Sequence, residues 1–125
     1  MSRHGFTLIE LLIVVVIIGL LAAIAIPKFS NTKSKAAVAT LKADLRNLAA
    51  VEESYFMDYH GYAPDLPSIA ATPYNYSYSG QNSIAVLQIG GGIGWRATGT
   101  NPAASGVTCS LSAHTGGTDD GTVSC

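Results

Sequence analysis

The chain has 125 residues, of which 48% are hydrophobic and only 12% charged, with a formal net charge of −1. That length makes one domain, and soluble domains carry about 25% charged residues. The shortfall is concentrated between Glu10 and Lys28, where no charge occurs, and this excludes a plain soluble globule. Seven Lys plus Arg against eight Asp plus Glu leave no basic excess of the kind nucleic-acid binding needs. Two cysteines are too few for a disulfide scaffold or a closed zinc site.

The apolar run from Leu11 to Pro27 is about 17 residues, the lower limit for a bilayer span, and counting from Phe6 to Ile26 gives about 21. Three readings compete. In a secretory signal peptide, Arg3 and His4 form the charged start and Ala23-Ile24-Ala25 the cleavage site. The others are a single-pass anchor and a helix that starts in a membrane and later leaves it. Glu10 decides against the first two, because a central acid costs roughly 2.5–3.5 kcal/mol on insertion. At the edge of the span that cost falls, so an interfacial acid is the bland reading. A functional reading needs a positive partner, and the run holds no Lys or Arg. The nearest candidate is an N-terminal amine, freshly exposed or from another chain.

Gly5-Phe6-Thr7-Leu8-Ile9-Glu10, followed by the continuous apolar run, resembles the class III signal of type IV pilins and pseudopilins. The match continues through Ala22-Ala23-Ile24-Ala25-Ile26-Pro27-Lys28-Phe29 and covers only the first third of the chain. The resemblance implies a leader at residues 1–5, cleavage between Gly5 and Phe6, and N-methylation of Phe6. It also implies pairing of Glu10 with the N-terminal amine of a neighbouring subunit. Two opposite charges in a dry helix-packed core attract strongly, while either alone is penalised. The pair would therefore pin the register of assembly. A plain Lys/Arg count, with Lys28, Lys33 and Lys35 after the run and Arg3 before it, puts the C-terminal side in the cytoplasm; the motif puts it outside.

Residues 6–29 are expected to form the transmembrane or filament-core helix, and residues 30–60 an amphipathic continuation. There is no Gly or Pro from Lys28 until Gly61. Val38, Leu41, Leu45, Leu48, Tyr55, Tyr59 and Tyr62 make one apolar stripe at helical spacing, read as core packing. Asp44, Asn47 and Glu52 are read as lying off it. Ser30-Asn31-Thr32 is a polar stretch expected to loosen the helix. A single helix from Phe6 to Asp58 would be roughly 80 Å long. Gly19 and Pro27 weaken it locally, so Gly19–Pro27 is expected to unwind on assembly, a static kink being the alternative.

Residues 61–125 change to Gly, Ser, Thr and Asn and read as a small antiparallel sheet laid on the C-terminal half of the helix, an α+β headgroup. Ser83–Ile89 and Gly94–Thr100 pair across Gly90-Gly91-Gly92. Val107–Ser112 is a further strand and Thr122–Cys125 closes the edge, three to four strands in all. Tyr74–Ser79 alternates in a strand-like way, and Asp65–Pro73 is expected to be irregular. Cys109 and Cys125 are expected to form a disulfide enclosing about 17 residues, worth about 3 kcal/mol, with two free thiols as the alternative. It resembles the C-terminal disulfide loop of pilins.

Weaker features each have a plainer explanation. Gly90–Gly94 lacks the helix and Lys of a phosphate cradle. Asp119 and Asp120 are adjacent acids that suggest calcium, but a solvated turn accounts for them. His60, His114 and the many serines have nothing to bring them together as a triad. No catalytic residue and no cofactor is expected.

The expected function is a structural subunit polymerised into a helical filament by an open, heterologous contact. Its implied partners are copies of itself, a prepilin peptidase and N-methyltransferase, an assembly ATPase with its platform protein, and membrane lipid before assembly. The implied location is the inner membrane, then an extracellular pilus. The alternatives are a pseudopilin of a type II secretion system, which would be periplasmic, and a minor pilin acting as an adhesive module. Arg96 is the one Lys or Arg after Arg46, which argues against DNA as a ligand.

Overall fold

The computed structural model describes every residue except positions 2–4 and 119, so the readings placed on Arg3, His4 and Asp119 lie outside the described residues. The elements in order are helix α1 (Leu8–Tyr59), helix α2 (Leu66–Ala70), strands β1 (Ser83–Ile89) and β2 (Gly94–Thr100), a 3-10 turn (Pro102–Ala104) and strand β3 (Thr108–Ala113). This is the expected α+β class. Two compact units are distinguished, Met1–Lys33 and Ser34–Cys125.

In the first unit, an unbroken supply of Leu, Ile, Val and Ala favours helix throughout. Among the described residues nothing is buried there: every large hydrophobic side chain from Phe6 to Phe29 is exposed. The helix is long and apolar enough to cross a membrane. Its backbone stays helical through Pro27, and through Ser30-Asn31-Thr32, which the sequence expected to loosen it. The Thr32 hydroxyl donates to the Lys28 carbonyl at 3.0 Å, so this polar residue bonds back onto its own helix.

In the second unit, helix residues Ala37, Leu41, Asp44, Leu45, Leu48 and Glu52 share one buried face. The sheet is antiparallel in the order β1-β2-β3. Its register aligns Ile84 with Gly99 and Cys109, Val86 with Ala97 and Leu111, and Gln88 with Trp95 and Ala113. These rungs form the inner face of the sheet, and with Leu41, Leu45 and Leu48 they make the core. Burying each such leucine stabilises the fold by roughly 1.5–3 kcal/mol. A Cβ on Gly99 would sit 3.0 Å from Leu41 Cδ2, so this glycine admits the helix to the sheet.

Several expectations are corrected. Asp44 and Glu52 are not off the packed face but 3% and 0% exposed, whereas Tyr59, expected on it, is 63% exposed. Glu52 lies four residues after Leu48 and seven after Leu45, so helical spacing itself carries it inward. Tyr74–Ser79 is not a strand. Tyr76 gives its N–H to the Ile69 carbonyl, and Ser79 gives its own to Asp44, so that backbone is satisfied without a ladder. Asp65–Pro73 is not wholly irregular. Asp65 caps α2 by accepting from Ser68 N–H at 3.0 Å, and α2 buries Ile69. The third strand runs one residue later than expected. Thr122–Cys125 closes the edge by an isolated bridge between Ser110 and Ser124 instead of a strand.

Candidate functional site

The N-terminal candidates sit where α1 begins. Thr7 and Glu10 form a reciprocal cap. Glu10 Oε2 accepts from both the N–H and the hydroxyl of Thr7 at 2.8 Å, and Thr7 Oγ1 accepts from the Glu10 N–H at 3.3 Å. The Thr-x-x-Glu spacing of a capping box is legible in the sequence, and it gives Glu10 a partner within its own chain. Phe6 is 86% exposed, and nothing lies within 4 Å of where a Cβ on Gly5 would be. Farther along, Gly19 likewise has open space around it, and Pro27 lies inside the helix.

In the headgroup, Cys109 and Cys125 are disulfide-bonded. Asp120 accepts from Thr115 N–H at 2.9 Å, Gly116 N–H at 3.1 Å, and the hydroxyls of Thr115 and Ser112. These bonds, the Thr115 hydroxyl foremost, hold its carboxyl below the usual range. Its acceptor capacity is spent on its own turn, and among the described residues no group of three or more His, Cys, Asp or Glu is placed to hold a metal. His60 and His114 do converge. They line one hollow of about 450 Å³ with Glu53, Phe56, Tyr62 and Ile93, but among the described residues no serine lines it, so no triad is assembled there. Tyr62 donates to Glu53 Oε1 at 2.9 Å and stacks on His114. Burial, reinforced by Glu53, pushes the phenol up to about 12, so it remains a donor. The Gly90-Gly91-Gly92 turn leads into a strand, which removes the phosphate-cradle reading.

Two buried acids were missed as structural determinants. Asp44 accepts from Ser79 N–H at 2.8 Å, the Ser79 hydroxyl at 2.9 Å and Asn82 Nδ2 at 2.6 Å. The Tyr76 hydroxyl donates to the Asp44 carbonyl at 3.0 Å. Four groups from one loop thus converge on one turn of helix. Glu52 accepts at Oε2 from Ala63 N–H at 2.9 Å, while Oε1 has no hydrogen-bond partner among the described residues. Burial pushes this carboxyl up to about 7.

The class is marked by the N-terminus: residues 1–26 match the family of the prokaryotic N-terminal methylation motif. The chain is also 42% identical over 71 residues to the type IV major pilin protein PilA of Myxococcus xanthus, covering 57% of this chain and 32% of that protein. It is 39% identical over 61 residues to type II secretion system core protein G of Pseudomonas aeruginosa, covering 49% and 43%. To core protein G of Escherichia coli it is 34% identical over 91 residues, covering 63% and 61%. The chain therefore spans less than two thirds of the length of these relatives. The resemblance read from Gly5 to Phe29 is supported, and the disulfide is present.

Proposed function

We propose that this chain is a structural subunit of the major-pilin kind. It is cleaved between Gly5 and Phe6, N-methylated on Phe6, held in the inner membrane, and then polymerised into an extracellular type IV pilus. The observation that carries this reading is the conjunction at the N-terminus. A methylation motif opens a helix whose apolar side chains find no cover in the chain itself. Such a surface must be covered by lipid or by copies of itself. The prepilin peptidase and N-methyltransferase, the ATPase and the platform protein belong to the same proposal. No catalytic role or cofactor is assigned.

Glu10 acts as the register pin. Both Thr7 bonds go to Oε2, which leaves Oε1 for the methylated amine of a neighbouring Phe6. Gly19–Pro27 is the stretch that unwinds as helices pack, since Pro27 donates no backbone hydrogen bond and Gly19 lowers helix propensity by about 1 kcal/mol. A pseudopilin of a type II secretion system is the second reading, favoured by the similarity to core protein G. The disulfide and the use of Asp120 within its own turn favour the pilus.

The test is intact mass of the subunit together with imaging of surface filaments from cells with and without this chain. The expected subunit begins at methylated Phe6. One that retains Met1, or begins at Ile26, refutes the proposal. Glu10→Ala should leave the chain in the membrane fraction but abolish filaments; normal filament yield would remove the pin.

A further inference from the structure

The outward face of the sheet carries a polar hollow that the N-terminal helix takes no part in. Alternation turns Arg96, Thr98 and Thr100 of β2 away from the core, beside Ser112, Ser110 and Thr108 of β3 in register. The segment holding Thr122 and Ser124 lies along β3. Ser110 N–H donates to the Ser124 carbonyl at 2.7 Å, the Ser124 N–H returns to Ser110 at 2.9 Å, and the disulfide ties down the end. The result is a hollow of about 340 Å³ whose lining, among the described residues, is Arg96 and otherwise only Ser and Thr. That is within the usual ligand-pocket range of roughly 300–1,000 Å³.

Its chemistry is narrow. Arg96 is exposed, and its guanidinium makes no hydrogen bond or ion pair among the described residues. Among the described residues no acid lines the hollow, and Asp120 is committed to Thr115, Gly116 and Ser112. A guanidinium takes a planar oxyanion through two parallel N–H bonds. Thr98 and Thr108, with the surrounding serines, both donate and accept, which suits a ligand that is itself rich in hydroxyls. With no apolar or aromatic lining side chain among the described residues there is no anchor for a peptide, and the one cation among them is too few for a nucleic acid. We propose that this hollow binds an acidic saccharide, its carboxylate or sulfate on Arg96 and its hydroxyls on Thr98, Thr108 and the Ser110–Ser124 wall. The inference stands on the headgroup alone and is independent of filament formation.

The experiment uses the full chain in detergent micelles, immobilised, with polygalacturonate, dextran sulfate and uncharged dextran as probes. Wild type should bind a polyanion and not dextran. Arg96→Ala should weaken that binding by roughly tenfold or more, as loss of a charge-assisted pair requires, and Arg96→Lys by less. Thr98→Val should weaken it while keeping the charge. Buried Trp95 reports by its fluorescence that each variant is folded. Polygalacturonate binding assigns the anion as carboxylate, and preference for dextran sulfate assigns it as sulfate; either supports the proposal when lost in Arg96→Ala. Equal binding by Arg96→Ala, equal binding of dextran, or no binding of either polyanion overturns it. Free acetate or sulfate competing as well as the polymers, per anionic group, overturns the saccharide part.

Discussion

Replacing Glu52 with glutamine should make the headgroup more stable at neutral and alkaline pH. Glu52 is 0% exposed, keeps one hydrogen bond from Ala63 N–H, and has its carboxyl raised by burial from 4.5 to about 7. In the unfolded chain it ionises at its ordinary value, so the native state holds the extra proton between those two values. Stability is therefore full below about pH 4.5, falls as pH rises through about 7, and then levels off. A gap of about 2.5 pKa units is worth about 3 kcal/mol at 1.36 kcal/mol per unit. Glutamine preserves the shape and the acceptor for Ala63 and never ionises. The full chain in detergent micelles would be unfolded with urea from pH 5 to 8 and followed through Trp95, the single and buried tryptophan. The wild-type midpoint should decline over that range and the Glu52→Gln midpoint should stay nearly flat, crossing above it before pH 8. His60 and His114 are common to both proteins, so the difference between the curves isolates Glu52. Parallel curves, or a variant less stable than wild type at pH 8, would refute this reasoning.

Asp44→Ala strands Ser79 N–H and Asn82 Nδ2 without their acceptor, and should cost about 2–4 kcal/mol in the same urea titration. Gly94→Ala places a Cβ 2.5 Å from the His114 carbonyl oxygen and 2.9 Å from that of Ala113. Since backbone must shift, the loss should be about 1–3 kcal/mol, and an unchanged urea midpoint would contradict the β2–β3 geometry. Removing the disulfide with Cys109→Ser and Cys125→Ser should cost about 3 kcal/mol, and hydrogen exchange should show the Ser110 and Ser124 amides losing protection first. Asp120, whose carboxyl the Thr115 hydroxyl holds low, contributes stability present above about pH 4 and lost as the pH falls further. Exchange at the Thr115 and Gly116 amides should therefore rise only in strong acid.

What this sequence determines by itself is whatever near neighbours can specify. Leu8–Tyr59 is helical because of its composition and its freedom from Gly and Pro after Pro27, with Gly19 and Pro27 tolerated inside it; β1 and β2 occupy the expected residues because alternation and three glycines mark them. The Cys109–Cys125 bond and the fold class were legible for similar reasons, and the N-terminal motif stands in one contiguous stretch. The tertiary structure alone decides which polar side chains go inside. Asp44 and Glu52 are tolerated there because donors reach them from Ala63, Ser79 and Asn82, between 11 and 38 residues away. No local pattern announces such partners, and without them the same acids would belong on the surface, since a buried charge is costly unless it is hydrogen-bonded. The hollow around Arg96 is of the same kind. Its wall comes from a segment that only strand register and a disulfide bring alongside, so its residues are scattered in sequence and meet only in the folded sheet.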